Sequence, residues 1–596
     1  MNEFRFSPRP NRAGEIDWMG WNADAFARAA AEDRPILLSI SAVWCHWCHV
    51  MDETTYSDPG VIETINRHFV PIRVDNDKRP DINARYNMGG WPTTAFLAPN
   101  GRTLTGATYL PPAQMRRALD EIARFYTEHK SEIEELPAPQ PRGPAGEGAS
   151  QELTGAPVAN LLEQLEAGYD EEYGGFGEEP KFPQAESLEF LLVQWRATGK
   201  RRWYEMVART MLAMSRGGMY DHVEGGFFRY STARDWSVPH FEKMAEDHAG
   251  LLRVLSELVL FSRNEEFRET LVSATNYVQK LLRDEQTQLY AGSQDADEEY
   301  YALPLEQRRA LAAPSLDRTS YTNWTCALAG AVCLVSRALD DDGLLAQASA
   351  TLDAVAQRLV TPDGLLYHVL VPGGTPEVPG LLGDHVAYCR ALLDAHEISG
   401  EERFFARAQA IAQTTIEHFG APGGGFYDRL TSAERLGQLA IEDRPIVDNG
   451  LFAECLLRLQ TLGGSASYRQ RARATLAFFS PVAERTGTFG ATYARALARY
   501  LAPEIAVRIV GDPAATDSFR EAALRLPSPF LSIRTLTPAQ ADAENLPPQP
   551  RPAAYVCAGV TCGAPIARAH EMREAYDAVR TNVSQYQQPQ SPTAIE

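Results

Sequence analysis

PILLSISAVWCHWCHVMDETTY, residues Pro35 to Tyr56, is the stretch from which the fold is read. An apolar, β-branched run (Ile36, Leu37, Leu38, Ile40, Val43) stops at Trp44, and Cys45 and Cys48 then open a segment of helical character. Strand, C-x-x-C and helix in that order is the layout of a dithiol redox site. A sulfur at a helix N-terminus faces unpaired N–H groups and the positive end of the helix dipole, which favours the thiolate. The spacing therefore predicts Cys45 as the attacking sulfur and Cys48 as the one that resolves the mixed disulfide. His46, between them, would stabilise the thiolate further when protonated. Two other readings stay open on the motif alone. Cys45, His46, Cys48 and His49 could ligate zinc, although a structural zinc site usually draws a second ligand pair from a distant segment, and none stands in this domain; or the cysteines could be inert core.

The surroundings extend the pattern. An alanine-rich helix over Asn22 to Ala31 precedes the strand, and Asp58 opens another helix that runs to Phe69. Val70 to Val74 reads as a buried strand and Arg79 to Tyr86 as a short helix. The run GGWPTTAFLAPNG then gives a turn, a strand from Thr93 to Ala98 and a Pro-Asn-Gly turn, with Thr103 to Leu110 returning as a hairpin. A helix from Pro112 to Glu135 closes the unit. This is the thioredoxin-like arrangement, in which a cis-proline precedes the third strand beside the dithiol; Trp91 and Pro92 fall at that place.

Length and charge bound the rest. At 596 residues the chain exceeds one ordinary domain. Lys and Arg total 57 against 78 Asp and Glu, a net charge of −21, which argues against nucleic acid or an anionic membrane as partner. The eight cysteines do not form a disulfide framework. No leader-like run follows the N-terminus and no segment offers about 18 uninterrupted apolar residues, so a soluble, cytoplasmic protein is expected.

Leu136 to Pro157, a Pro, Gly and Ala tract without apolar period, reads as a linker. From Val158 to Tyr500 the chain is helical, with helices expected over Ala185 to Thr198, Tyr204 to Arg216, Lys243 to Phe261 and Phe267 to Leu282. A glycine and aromatic loop recurs between helix pairs: Tyr173 to Phe182, Glu224 to Tyr230, Gln288 to Asp297, Asp363 to Val369, Gly423 to Arg429 and Thr486 to Tyr493. One such loop per helix pair marks a helical-hairpin array. A closed ring, an (α/α)6 toroid, leaves no end repeat exposed, and it would gather the loops on one rim around a central cavity. The richest loop holds Tyr220, Asp221, His222, Glu224, Arg229, Tyr230, Asp235, Trp236, His240, Glu242 and Lys243. Asp295, Asp297 and Glu298 form a second cluster, Asp384 and His385 a third. Aromatic, carboxylate and histidine side chains in a cleft suit sugar binding or general acid and base chemistry, while Asp and Gly also belong at helix ends in any protein. Residues 501 to 596 read as a small α/β cap in which Cys557 and Cys562 look like ordinary buried cysteines rather than a second thiol pair.

The motifs CHWCHVM (Cys45 to Met51), KRPDIN (Lys78 to Asn83), GGWPTTAFLAPNG, GGFGEEPKFP, GGMYDHVEGGFFRYSTARDWSVPHFEKM and YVCAGVTC resemble, over nearly the whole length, the spermatogenesis-associated thioredoxin-like proteins and their bacterial counterparts. That resemblance implies a thioredoxin-like domain joined to a six-hairpin toroid similar to N-acylglucosamine 2-epimerases. The chain departs from the family pattern before Gly89, at Asn323 to Thr325 and at Ile446 to Asn449. The epimerases use two histidines as acid and base; His240, followed by Glu242, is the nearest analogue, without a residue-by-residue match.

Three functions follow. The first is a thiol–disulfide oxidoreductase or redox-regulated protein, with Cys45 and Cys48 catalytic and His46, Trp91 and Pro92 tuning them, working on a redox partner protein or a small-molecule thiol. The second is a carbohydrate-active epimerase or hydrolase acting in the toroid on a sugar-like ligand. The third is a binding scaffold without chemistry. None calls for a cofactor or a metal. The face bearing Cys45 and Trp91 is expected to lie against the rim that carries His222, Arg229, Asp235 and His240.

Overall fold

The computed structural model describes residues 4, 6–135, 152–262, 264–559 and 561–587. In the first module, α1 (Ala23–Glu32) starts where the Asn22 side chain accepts from the Ala25 N–H. β1 (Ile36–Ser41) is buried along its whole length, four apolar residues with Ser39 and Ser41 buried among them. Then come α2 (His46–Glu53), α3 (Pro59–His68), β2 (Val70–Asp75), α4 (Pro80–Tyr86), β3 (Thr93–Leu97), β4 (Thr103–Ala107) and α5 (Pro112–Glu135). The sheet order is β2-β1-β3-β4, with β1 parallel to β2 and antiparallel to β3. Leu37 and Phe96 pack with α2, α3 and α5 on one face. Ile36, Leu38 and Ile40 pack with α1 and α4 on the other. Two covered faces and a mixed sheet make the expected thioredoxin-like module.

The linker reading falls outside the described residues as far as 151, and its last residues, Ala156 and Pro157, already belong to the first toroid helix. The toroid comprises α6 (Ala156–Ala167), α7 (Ala185–Thr198), α8 (Arg201–Arg216), α9 (Ala245–Phe261), α10 (Glu265–Tyr277), α11 (Thr322–Leu339), α12 (Asp342–Arg358), α13 (Leu382–Ser399), α14 (Glu402–Phe419), α15 (Ile446–Thr461), α16 (Ser467–Ala483) and α17 (Ala491–Leu501). The odd-numbered helices pack in sequence, α7 on α9, α11, α13, α15 and α17, and α17 returns to α7. The even-numbered helices surround them, and α6 closes the outer layer against α17. Every glycine and aromatic loop leads into an inner helix, so all of them lie on one rim. Three loops are pinned by the same device. The backbone N–H of Phe227, Leu366 and Phe426 donates to His248 Nε2 (2.9 Å), His385 Nε2 (3.1 Å) and Asn449 Oδ1 (2.7 Å), each the fourth residue of its inner helix. The expected helix from Lys243 starts instead at Ala245, because Lys243 and Met244 pair as a short strand with Ser293 and Gln294.

The C-terminal region holds β5 (Ile505–Val510), α18 (Pro513–Leu524), β6 (Ser532–Leu536), α19 (Pro538–Ala543), β7 (Ala553–Ala558), β8 (Thr561–Cys562) and α20 (Met572–Gln587). It sits on the rim opposite the loops. Arg508 donates to Thr461 O (2.7 Å), Arg534 to Leu462 O (2.9 Å) and Arg499 of the toroid to Phe530 O (3.0 Å). Cys557 and Cys562 are joined in a disulfide, which corrects their reading as ordinary buried cysteines.

The first module sits on the loop rim. Arg85 pairs with Asp428 and donates to Ile441 O (3.0 Å). Tyr86 Oη accepts from Gln438 N (2.7 Å), and His368 Nε2 donates to Asp77 O (2.8 Å). Gly101, at φ +82°, lies so close to Gly437 that a side chain at either would collide with the other backbone or with Tyr86.

Candidate functional site

α2 begins where Cys45 leaves the extended conformation, and the Cys45 Sγ accepts from the Cys48 N–H at 3.2 Å, as an N-cap side chain does. The two sulfurs are joined in a disulfide. The Trp91–Pro92 bond is cis. Trp44 meets Trp91 edge to face at 5.8 Å, and its Nε1–H donates to Asp77 Oδ2 at 2.7 Å. Burial and then Asp75 push the Asp77 carboxyl well above its ordinary range. His46 is exposed beside Trp47, on the outer side of the helix.

The toroid rim closes over this site. Cys45 is 4% exposed and Cys48 2%, packed among Ala42, Trp44 and Trp91 of their own module and Met244 and Trp324 of the toroid. The Arg229 guanidinium lies over the Trp44 ring at 3.7 Å. A groove of about 530 Å³ between module and rim is lined by Cys48, His49, Asp75, Arg79 and Asp295, among others. Burial pushes Asp295 up to about 7 and lowers His49.

A set of carboxylates stands at the mouth of the ring, in the first turns of the inner helices: Glu186 of α7, Glu246 and Asp247 of α9, Asp384 of α13 and Asp448 of α15. Burial, partly offset by Arg229, pushes Asp247 up to about 7; burial and then Asp428 do the same for Asp448. Burial and Glu186 raise Glu246, although its side chain keeps solvent-facing surface. The sequence reading missed Glu186, Glu246, Asp247 and Asp448, because acids in a first turn are ordinary helix-start residues until the ring brings four helices together.

The remaining expected residues divide. Arg229 reaches the dithiol loop. Glu242 is buried, its Oε2 3.5 Å from His240 Nδ1 and without a hydrogen bond, and His240 stacks on Tyr230. Asp384 accepts from the Asn323 N–H (2.9 Å) and from His368 Nδ1 (2.9 Å). Others serve the architecture. His385 uses both ring nitrogens, on Leu366 N and Leu381 O, and burial lowers it to about 4. Trp236 is wholly buried and donates to Tyr173 O. Tyr220 packs on Phe227. Asp235 is exposed and accepts from Ser237 N, and His222, also exposed, contacts Gly217 O. Asp297 caps the short helix Glu298–Tyr301. Glu224 joins Asp221, Lys243 and Arg308 in an ion-pair cluster, so these groups neutralise one another. Among the described residues, no group of three or more His, Cys, Asp or Glu is placed to hold a metal ion, and no helix is long and apolar enough to cross a membrane.

Fold and site together define a thioredoxin-like dithiol module set on the loop rim of a six-hairpin helical toroid. Residues 9–138 match the family model Thioredox_DsbH, "Protein of unknown function, DUF255". The chain is similar to human spermatogenesis-associated protein 20, with 35% identity over 307 residues that cover 47% of this chain and 39% of that protein. It spans about two fifths of the length of that relative. An uncharacterized protein of Caenorhabditis elegans is 24% identical over 704 residues, 94% of this chain and 95% of the other. The expected resemblance to the spermatogenesis-associated family holds. Among solved structures, cellobiose 2-epimerase from Bacillus thermoamylovorans superposes with a TM-score of 0.45 at 12% identity, over 55% of this chain and 86% of the other.

Proposed function

We propose that the chain is a thiol–disulfide oxidoreductase that works through Cys45 and Cys48. The observation that carries this reading is the Cys48 N–H directed at Cys45 Sγ from the first turn of α2, a donor that stabilises sulfur best when it is anionic. In the reduced protein the Cys45 thiolate attacks a substrate disulfide, forming a mixed disulfide and releasing one substrate thiol. Cys48 then gives up its proton and attacks Cys45, re-forming the Cys45–Cys48 bond and releasing the second thiol; two electrons leave the protein and reduce one substrate disulfide. Enclosure by Met244 and Trp324 supports a small or extended substrate over a folded surface. Redox titration with alkylation mapping tests the reading. A single two-electron transition at Cys45 and Cys48, lost in Cys45→Ser, is expected; the absence of any such transition would overturn it.

One observation favours a second activity. Asp247 and Asp448, both near 7, stand on different inner helices at the mouth of the ring, and two carboxyls poised there suit proton transfer to and from a bound polyol. Soaking crystals with mono- and disaccharides and measuring hydrolysis or epimerisation in wild type and Asp247→Asn decides it.

A further inference from the structure

The C-terminal region repeats the first module's topology. Its sheet order is β6-β5-β7-β8, with β5 parallel to β6, antiparallel to β7, and β7 antiparallel to β8. This is the order and sense of β2-β1-β3-β4. The layers match as well. Phe519 and Ala523 of α18 pack with Met572 and Tyr576 of α20 on one face. Ala541 of α19 covers the other, beside Tyr555 and Cys557. A proline, Pro552, stands immediately before β7 as Pro92 does before β3, and a side chain at Gly511 would come within 3.1 Å of it; Gly511 lies in the loop after β5, the loop in which the first module carries its dithiol. Here that loop reads Gly511-Asp512-Pro513 and holds no sulfur. This module's sulfurs lie instead opposite one another on β7 and β8.

We propose that the C-terminal region is a second thioredoxin-fold module with its own thiol-exchange site, the Cys557–Cys562 disulfide, and that this bond rather than Cys45–Cys48 is the first to meet external thiols. Three observations carry it. Cys562 is on the edge strand β8, retains exposed surface and is flanked by exposed Thr561, Gly563 and Ala564, whereas the toroid rim encloses both sulfurs of the first module. The bond closes a loop of only a few residues, the case in which a cross-link adds least to stability through chain entropy. The hairpin is also held without it, by Gly563 N to Val556 O (2.9 Å), Gly559 N to Glu504 O (3.0 Å) and the pairing of Ala554 with Ile566. A bond that is reachable and not needed by the fold can open and close in the native state. A small-molecule thiolate attacks Cys562 Sγ, the S–S bond breaks and Cys557 leaves as a thiolate that takes up a proton. A second thiolate then attacks the small molecule's own sulfur, which frees Cys562 and yields the small-molecule disulfide.

The experiment uses the full-length oxidised protein, exposed to graded dithiothreitol under native conditions, quenched with iodoacetamide and mapped by peptide mass. Cys557 and Cys562 are expected to become alkylated together at least ten-fold faster than Cys45 and Cys48, with the far-ultraviolet circular dichroism unchanged. The double variant Cys557→Ala, Cys562→Ala is expected to melt within a few degrees of wild type. Earlier or simultaneous opening of Cys45–Cys48, loss of structure on opening Cys557–Cys562, or recovery of Cys557 and Cys562 as free thiols from unreduced protein would each overturn the proposal. Slow exchange at Cys45 and Cys48 leaves it standing, so its failure is separable from that of the oxidoreductase reading.

Discussion

The guanidinium of Arg229 lies over the ring of Trp44, its carbon 3.7 Å from the ring centre, and Trp44 immediately precedes Cys45. Arg229 also lies near Trp91 and pulls against the upward shift of Asp247. One side chain of the toroid therefore packs on the dithiol loop and acts through its charge on a carboxylate at the ring mouth, which gives the two sites a physical route for coupling. Coupling requires that oxidation of the dithiol change a free energy at the mouth.

Removing that contact tests the route. A cation–π contact at a half-buried site contributes about 1 kcal/mol, so Arg229→Ala is expected to loosen the docking without unfolding either module. Amide exchange of β2 and of the loop before α2 should rise, and iodoacetamide should label Cys45 of the reduced protein several-fold faster. Unchanged exchange and labelling would mean that the cation contributes nothing to closure.

Within the reduced wild type, Cys45 is expected to react with iodoacetamide faster than Cys326, Cys333, Cys389 or Cys455, all of which are buried. Burial pushes the Cys333 thiol far up, and burial followed by Asp384 raises Cys326. Cys48→Ser is expected to accumulate a mixed disulfide at Cys45 with a small-molecule thiol, visible by mass. A Cys45 no faster than the buried four would remove the chemical basis of the redox reading.

Asp247 and Asp448 set a pH dependence. Their folded pKa values, about 7, lie above the ordinary carboxylate value. Each therefore contributes stability that is complete below about pH 4 and is lost as the pH rises through about 7. Melting temperature is expected to fall across that window, and Asp247→Asn and Asp448→Asn each to flatten part of the slope. Parallel wild-type and variant profiles would show that these carboxyls do not titrate there.

His368 sits between the modules. Burial lowers its pKa, but the charge and hydrogen bond of Asp384 outweigh that and raise it, and its Nε2–H donates to Asp77 O. A raised histidine stabilises fully below its unfolded pKa and loses that contribution as pH rises through its folded one. Docking of the first module should weaken at alkaline pH. His368→Gln, which leaves Asp384 without its cation, should destabilise by about 3 kcal/mol and abolish this pH dependence, measured by hydrogen exchange over α4 and the Asp77 turn.

Local sequence determined each element whose chemistry is contained in neighbouring residues. The run before Cys45 makes a buried strand because Ile36, Leu37, Leu38 and Ile40 outweigh the two serines among them, Asn22 and Asp58 start helices because their side chains accept from the third residue on, and six glycine and aromatic loops mark six hairpins because each turns the chain into an inner helix. Tertiary structure decided what depends on neighbours distant in the chain. Ring closure buried the first-turn acids of α9 and α15, with Glu186 of α7 adding its charge, and so raised them, and docking of the first module set Met244, Trp324 and Arg229 over a dithiol that its own domain would leave open. His385 and Asp297 look functional as letters, yet in the fold they are spent on a loop N–H and a helix cap, since a buried donor must find its acceptor wherever the backbone places one. Cys557 and Cys562 became a pair only through the register of β7 against β8, because spacing of five is compatible with many backbones and strand pairing selects the one in which the sulfurs face each other.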